Sequence, residues 1–258
     1  MILGRDIHLH AACFDEINTA VDQLLIAASD PRIVVFNAHS FPDRAPSDAI
    51  IYNLENVDVQ VSGDAFPEHE VWDFAQRNAA RWRGTRRAVH HVPPGHHSSM
   101  ERFQPLPWNE RDIDIFFAGC MNARRQRVFD ALARHGLKIL TLSTAYGPER
   151  DKILARAKLA INMLYYEDGT FAVLRTAHYA ANSIAAISEI ANEAPAWTHP
   201  TPVPYAQIVD SCRDLLDGGE EKLAALAAEA LRQFREHPLR LPTQPQNGVD
   251  ESTRSPIP

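Results

Sequence analysis

Short apolar runs alternate with helical patterns along most of this chain. In residues 14–29 the apolar positions, from Ile17 to Ala28, fall on one helical stripe. The runs that follow are short enough to be buried strands. In the first half of the chain, strands are predicted at 32–36, 49–53 and 88–92. This alternation is typical of α/β proteins.

Residues 67–81 permit two interpretations. Pro67 and the acidic residues after it are typical of a helical first turn, but Val71–Asp73 also has the composition of a short strand. After the strand at 88–92, Pro93-Pro94-Gly95 ends the first half, because proline cannot donate to a strand ladder.

The second half is more regular. Asn122 is a natural N-cap for the helix after the first strand, and Gly136 a natural C-cap. Strands are predicted at 113–118, 138–143, 159–165 and 185–188, and helices at 122–135, 148–157, 170–181, 205–216 and 220–236. Right-handed crossovers make such a run a doubly wound sheet. The predicted fold class is α/β with two Rossmann-like lobes, roughly 1–104 and 112–236, parallel sheets with helices on both faces, and a loose tail at 237–258.

Composition narrows the classes of function. The 258 residues are 45% hydrophobic and 23% charged, as in ordinary soluble proteins. A net charge of −7 argues against a general nucleic-acid or anionic-membrane surface. Cys13, Cys120 and Cys212 are scattered outside any CxxC pattern, and the opening residues lack an export or spanning segment. We therefore expect a cytoplasmic protein without a membrane span, and the pattern leaves its oligomeric state open.

The turn after residues 113–118 is the first candidate site. Gly119 lets the backbone turn sharply, and the helix that begins at Asn122 offers free N–H groups to a phosphate. Arg124 or Arg125 can add a charge-assisted contact. The alternative is an ordinary turn between a strand and a helix, with solvated arginines.

The stretch 162–189 is the second candidate, because ligands bind at the carboxyl ends of parallel strands. The turn Asp168-Gly169-Thr170 separates Glu167 from Arg175, which lie eight residues apart. The glutamate is suited to sugar or ribose hydroxyls, and the arginine to phosphate. Alternatively, Asp168 or Thr170 caps the helix and Arg175 pairs with a surface acid.

Three further residues of this stretch, Glu189, Tyr165 and Tyr166, can each be interpreted in two ways. Glu189 ends the next strand, where it either accepts a ribose hydroxyl bond or is solvated. Tyr165 and Tyr166 fit core and rim positions better than a base-stacking platform.

Histidine is abundant, at twelve residues, and the pairs His90-His91 and His96-His97 suggest a metal site. Adjacent histidines on a strand point to opposite faces, however, and no HExxH spacing is present. We therefore expect no metal. His39, or one histidine of this loop, is a better candidate for acid/base work.

Several motifs resemble a family. Residues 50–55 (IIYNLE), 70–74 (EVWDF) with Asn78, and 91–96 (HVPPGH) resemble a series in small bacterial glycosyltransferase-like proteins of the two-lobed GT-B type. In the second lobe, residues 112–119, the helix start at 122–125, 147–158 (GPERDKILARAK), 171–175 and 186–189 match as well. The resemblance covers about residues 32–235.

The resemblance implies a metal-independent glycosyltransferase without a cofactor, which uses a nucleoside-diphosphate sugar as co-substrate and an unknown acceptor. The donor would lie in the second lobe, against Gly119, Asn122, Arg124, Arg125, Tyr166, Asp168, Gly169, Thr170, Arg175 and Glu189. The acceptor would lie against Asn53 and His96, with His39, Glu55 and Glu167 as candidate catalytic groups.

One departure limits the comparison. Many retaining members carry a second glutamate eight residues after the first, and Arg175 stands at that place here. Ribose binding and a retaining mechanism are therefore not carried over to this chain. Two alternatives stay open: a non-catalytic nucleotide-sugar-binding or accessory protein, and another sugar-nucleotide enzyme such as an epimerase or hydrolase.

Overall fold

A computed structural model describes residues 34–36 (backbone), 49–83, 88–143, 145, 147–167, 169–194, 197, 202–238, 240 and 242. The helix predicted within 14–29 lies outside these residues, as does almost all of the predicted tail. His237 and Pro238, where that tail begins, are described and lie beside His96, whose N–H donates to the His237 carbonyl at 2.8 Å.

The first sheet has four parallel strands in the order in which they occur along the chain. Of the two interpretations of residues 67–81, the short strand is confirmed and the helix beginning at Pro67 is wrong, since the only helical turn described there comes after the strand. The elements are β1 (Val34–Phe36), β2 (Ile50–Asn53), β3 (Glu70–Asp73), α1 (Gln76–Ala79) and β4 (Val89–His91).

The second sheet also has four parallel strands, but its order is β6-β5-β7-β8. The chain therefore reverses direction across the sheet after β6. This creates a topological switch point between the carboxyl ends of β5 and β7, where ligands bind in open α/β sheets. The elements are β5 (Ile113–Ala118), α2 (Ala123–Arg134), β6 (Ile139–Leu142), α3 (Gly147–Leu154), β7 (Ala157–Asn162), α4 (Val173–Ala181), β8 (Ala186–Ser188), α5 (Ile208–Asp217) and α6 (Gly219–Arg235).

Helices cover both faces of the second sheet. Ile115 and Phe117 of β5 pack on the side of α2, α5 and α6, with Leu132 and Cys212 among their neighbours. Phe116, which points the other way, packs with Tyr179 of α4. The predicted fold class is confirmed: the protein is α/β, with two Rossmann-like lobes built on parallel sheets. The exact lobe boundaries, 1–104 and 112–236, stay a prediction.

The first sheet completes its core with helices of the second lobe. Ile50, Tyr52 and Trp72 belong to one buried cluster with Ala177 of α4 and Phe234 of α6. The opposite face is covered by the first lobe's own loops, through residues such as Val57 and Phe66. The two lobes therefore share a continuous apolar interface.

Among the predicted boundaries that are wrong, three differ by three residues. The strand predicted at 159–165 is β7 and ends at Asn162, and the helix predicted from Thr170 begins at Val173. The helix predicted at 148–157 ends at Leu154. The strand stops early because the backbone N–H of Leu164 donates to the Glu189 carboxylate at 3.0 Å, and not to a neighbouring strand.

Candidate functional site

A cavity of about 550 Å³ lies between the lobes at the switch point of the second sheet. We call it the arginine cavity. Its walls come from the turn after β5, the loop between β7 and α4, and the loop after β2. The first and second lobes therefore face each other across it.

Arg125 is one of the cations of this cavity. Its Nη1 donates to the Cys120 carbonyl at 2.6 Å and its Nη2 to the Met163 carbonyl at 2.5 Å. Burial, together with the nearby charge of Arg175, lowers the pKa of Arg125 to about 10. The guanidinium therefore stays protonated at neutral pH.

Arg175, in the first turn of α4, is the second cation. Its Nη1 donates to Oδ1 of Asn162 at 2.8 Å, and Asn162 in turn donates to the Ser188 hydroxyl at 2.9 Å. Its guanidinium carbon lies 5.1 Å from the centre of the Phe117 ring. Gly119 has φ +147°, and a β-carbon there would stand 2.8 Å from Nη2 of Arg175. The positive φ favours glycine here, and a β-carbon would also force the end of the Arg175 side chain to shift.

Neither Arg125 nor Arg175 has a carboxylate at ion-pair distance among the described residues. The Nε atoms of both are buried and lack a hydrogen-bond partner there. Buried cations of native proteins are normally paired, since desolvation of an isolated charge is costly. Two unneutralised guanidinium groups in one cavity therefore form a site suited to an anion with several oxygens, such as a phosphate.

The start of α2 is organised as predicted. Asn122 is the N-cap, and its Oδ1 accepts from the backbone N–H of Arg125 at 2.9 Å. Its Nδ2 donates to the Tyr165 carbonyl at 2.7 Å. The side chain of Asn122 thus joins the helix start to the loop after β7, but it does not itself line the arginine cavity.

Arg124 and Glu189, both predicted to bind donor, bind each other. Nη1 of Arg124 donates to Oε2 of Glu189 at 2.8 Å, and Nη2 donates to Oε1. The Arg124 guanidinium also lies 3.9 Å from the Tyr205 ring centre. The bonds to Glu189 raise the pKa of Arg124. Neither residue lines the arginine cavity, and the pair holds the loop at Leu164 in place.

The loop between β7 and α4 separates the remaining candidates. Tyr166, Gly169 and Thr170 line the arginine cavity, whereas Glu167 is exposed and does not line it. Asp168 lies outside the described residues. The N-cap of α4 is Ala172, so Thr170 does not cap this helix.

In the first lobe, Glu55 lines the arginine cavity, but Asn53 and His96 do not. Nδ2 of Asn53 donates to the Asp73 carboxylate at 2.7 Å and to the Glu55 carbonyl at 2.8 Å. Nε2 of His96 lies 2.9 Å from Oε1 of Glu101. His39 is outside the described residues.

Asp73, at the end of β3, has a structural role that its contacts show. Its carboxylate is fully buried and accepts from Asn53, from the indole N–H of Trp82 at 2.9 Å and from the N–H of Ala75 at 3.0 Å. Burial raises the pKa of Asp73 to about 6. Asp73 therefore fixes the strand ends behind the cavity, a role that its sequence context did not indicate.

Arg150 is a cavity residue that sequence reasoning missed. It lies on α3, is buried, and lines the arginine cavity. The next residue, Asp151, bonds the buried His178 at 2.9 Å and Arg102 at 3.0 Å. The only available signal was its position within residues 147–158, one of the stretches that resembles the glycosyltransferase-like family.

Histidines of the two pairs bond different partners. Nε2 of His90 lies 3.6 Å from Glu70, while His97 accepts a hydrogen bond from the N–H of Ser99. Within the described ranges, no group of three His, Cys, Asp or Glu side chains is arranged to hold a metal ion. In the same part of the chain, no helix combines the length and apolar character needed to cross a membrane.

Comparison with known proteins gives remote likenesses. No family model matches the chain. An uncharacterized protein, L138, of Acanthamoeba polyphaga mimivirus is 27% identical over 129 residues, which cover 40% of this chain and 15% of that protein. A solved structure, described as accessory secretory protein 1, 2 and 3 in Streptococcus pneumoniae, aligns with a TM-score of 0.45 and 10% identity, over 87% of this chain and 54% of that one. The chain thus spans only part of each, and likenesses of this strength assign neither a family nor an activity.

Proposed function

We propose that this protein is a glycosyltransferase that takes its sugar from a nucleoside-diphosphate donor. The observation that carries the proposal is the pair Arg125 and Arg175, one buried and one partly buried guanidinium group without carboxylate partners in the described chain, at the switch point of a parallel sheet. The motif resemblance to small GT-B proteins supports the same function.

Sugar transfer requires that the departing diphosphate be stabilised, and the two arginines supply positive charge for this. As the bond to the sugar breaks, negative charge builds up on the departing diphosphate. Donors fixed in advance, in a cavity with little water, stabilise this charge without having to reorganise. Carbonyls hold Arg125, and Asn162 holds Arg175, so both are positioned before the donor arrives.

Glu55 is the proposed base. It belongs to the first-lobe wall of the cavity whose second-lobe wall contains the arginines. An acceptor hydroxyl between them must lose a proton as it attacks the sugar, and a carboxylate within hydrogen-bond reach can take it. Glu167, which is exposed, is a poorer choice.

Calorimetry with UDP-, GDP- and dTDP-sugars and the free diphosphates tests the donor site. We expect at least one nucleoside diphosphate to bind, and Arg175→Gln to weaken that binding. Absence of binding across the panel would overturn the proposal.

A non-catalytic nucleotide-sugar-binding protein is the second candidate. Two observations favour it. Glu189 lies at the carboxyl edge of the sheet, but its carboxylate is paired with Arg124. Arg175 stands where many retaining glycosyltransferases carry a second glutamate, so that carboxylate is missing as well. This candidate predicts that the donor binds but that no sugar transfer or donor hydrolysis occurs, which product analysis by mass spectrometry distinguishes.

A further inference from the structure

A second cavity, of about 690 Å³, adjoins the arginine cavity. We call it the apolar cavity. Phe74, Thr170, Phe171 and Val173 line both cavities, so the two are consecutive parts of one interlobe cleft. The two cavities therefore adjoin at these four side chains.

The walls of the apolar cavity are mostly rings and aliphatic groups. The main contributors are Phe74, Pro93, Pro94, Phe171, Val173 and Trp197. The Trp197 ring is fixed from behind, with its centre 4.5 Å from that of Phe234. Cavities of this size and character bind small ligands that have a substantial apolar part.

Several polar groups at this cavity already have partners within the protein. Glu193 accepts from the backbone N–H of Arg77 at 3.0 Å, and Glu236 pairs with Arg232 at 2.5 Å. Of the other described polar lining residues, Gln76, His91, His237 and Arg240 are exposed, and Thr170 is partly buried where the two cavities adjoin. Among the described lining residues, few buried hydrogen-bonding groups are thus left for a ligand.

We infer that the apolar cavity holds the acceptor, and that the acceptor is a small alcohol or phenol with an apolar ring-containing body. This inference rests on the proposed function. A saccharide acceptor carries many hydroxyl groups, and burial of those groups without hydrogen-bond partners is costly. A ring system with one hydroxyl directed past Thr170 matches both cavities.

The transfer then balances as follows. The acceptor oxygen forms a bond to the anomeric carbon of the sugar. The bond from that carbon to the diphosphate oxygen breaks, and its electron pair leaves with the diphosphate, beside Arg125 and Arg175. The proton of the acceptor hydroxyl passes to the Glu55 carboxylate.

Calorimetric binding of two probes tests the inference on the full chain. 4-Methylumbelliferone represents a ring-bearing phenol, and methyl β-glucoside represents a saccharide. We expect the phenol to bind saturably and the glucoside to bind at least about tenfold more weakly, because only the phenol buries apolar area. Comparable or tighter binding of the glucoside, or no binding of the phenol, would overturn the inference.

Variants locate the probe. Ala194→Phe and Gln76→Trp each add a ring within the apolar cavity and should weaken phenol binding about tenfold or more. Val59→Phe adds the same phenyl group to an exposed side chain outside both cavities, so phenol binding should be unchanged. Circular dichroism checks that each variant folds. If both folded cavity variants bind the phenol as the wild type does, the inference is wrong.

The donor site is tested separately. Arg175→Gln should weaken nucleoside diphosphate binding but leave the phenol affinity unchanged, because Arg175 lines only the arginine cavity. Failure of the wild-type protein to bind any nucleoside diphosphate refutes the proposed function, whereas the phenol experiment decides the chemistry of the apolar cavity.

Discussion

A β-carbon at Gly119 would stand 2.8 Å from Nη2 of Arg175, so the absence of a side chain at one residue makes room for the charge of the other. The two residues are 56 positions apart in sequence (175 − 119) and meet at the switch point of the second sheet. Gly119 therefore leaves space for the guanidinium of Arg175, which Asn162 holds.

Gly119→Ala should weaken nucleoside diphosphate binding and destabilise the fold. Its φ of +147° disfavours any side chain, at a cost of roughly 1–3 kcal/mol, and the methyl group would displace Arg175. Calorimetry and urea unfolding measure the two effects. Gly136→Ala is the matched control, since it has φ +78° but nothing within 4 Å of a β-carbon. It should lose stability and keep its affinity; an equal loss of affinity in both variants would contradict the role of Gly119.

Arg175→Gln should reduce nucleoside diphosphate affinity by about ten- to a hundredfold, as expected for loss of a charge-assisted hydrogen bond worth about 1.5–3 kcal/mol. Arg175→Lys should not restore it, because lysine cannot present the planar fork of arginine. The comparison variant is Arg156→Gln, whose guanidinium pairs with Asp112 on the surface. Unchanged affinity in Arg175→Gln would remove Arg175 from the site.

Glu189→Gln should destabilise the protein by about 3 kcal/mol, because it leaves the largely buried charge of Arg124 without its partner. Urea unfolding measures the change in the free energy of unfolding. Glu229→Gln breaks an exposed pair with Arg232 and should have a much smaller effect. Similar losses in the two variants would mean that the Arg124–Glu189 pair is energetically an ordinary surface pair.

The buried carboxylate of Asp73 should make stability fall as pH rises through about 6. Its folded pKa of about 6 is above the value of about 3.9 in an unfolded chain. The folded state therefore holds the proton more tightly, and this contribution is complete below about pH 4 and lost above about pH 6, a change of about 3 kcal/mol.

Asp73→Asn removes that titration. We expect the difference in free energy of unfolding between the wild type and this variant to shrink by about 3 kcal/mol between pH 4 and pH 7. Asp112→Asn is a control in which the pH dependence of stability has the opposite direction, because Arg156 lowers the pKa of Asp112. The stability that this carboxylate contributes is lost as pH falls. If the difference in free energy of unfolding between the wild type and Asp73→Asn does not vary with pH, the Asp73 carboxylate is ionised in the folded protein throughout this range.

The sequence by itself determined the second lobe well. Its strands and helices follow local periodicity and caps, as at Asn122 and Gly136, and both are set by residues a few positions apart. The same local rules predicted that Gly119 follows a strand and that Arg175 lies near the start of a helix. Both residues were therefore expected near the carboxyl edge of a parallel sheet. The fold class followed from the alternation of strands and helices.

Only the tertiary structure decided which of the candidate charges are neutralised. Arg124 and Arg125 are adjacent in sequence, yet one is paired with Glu189 and the other lies in the cleft beside Arg175. Adjacent residues on a helix point about 100° apart, so their partners are fixed by whichever strand ends and loops the fold brings to each side. For the same reason, the burial of Asp73, the position of Arg150 and the interlobe core around Trp72 depend on contacts distant in sequence, which periodicity and spacing do not specify.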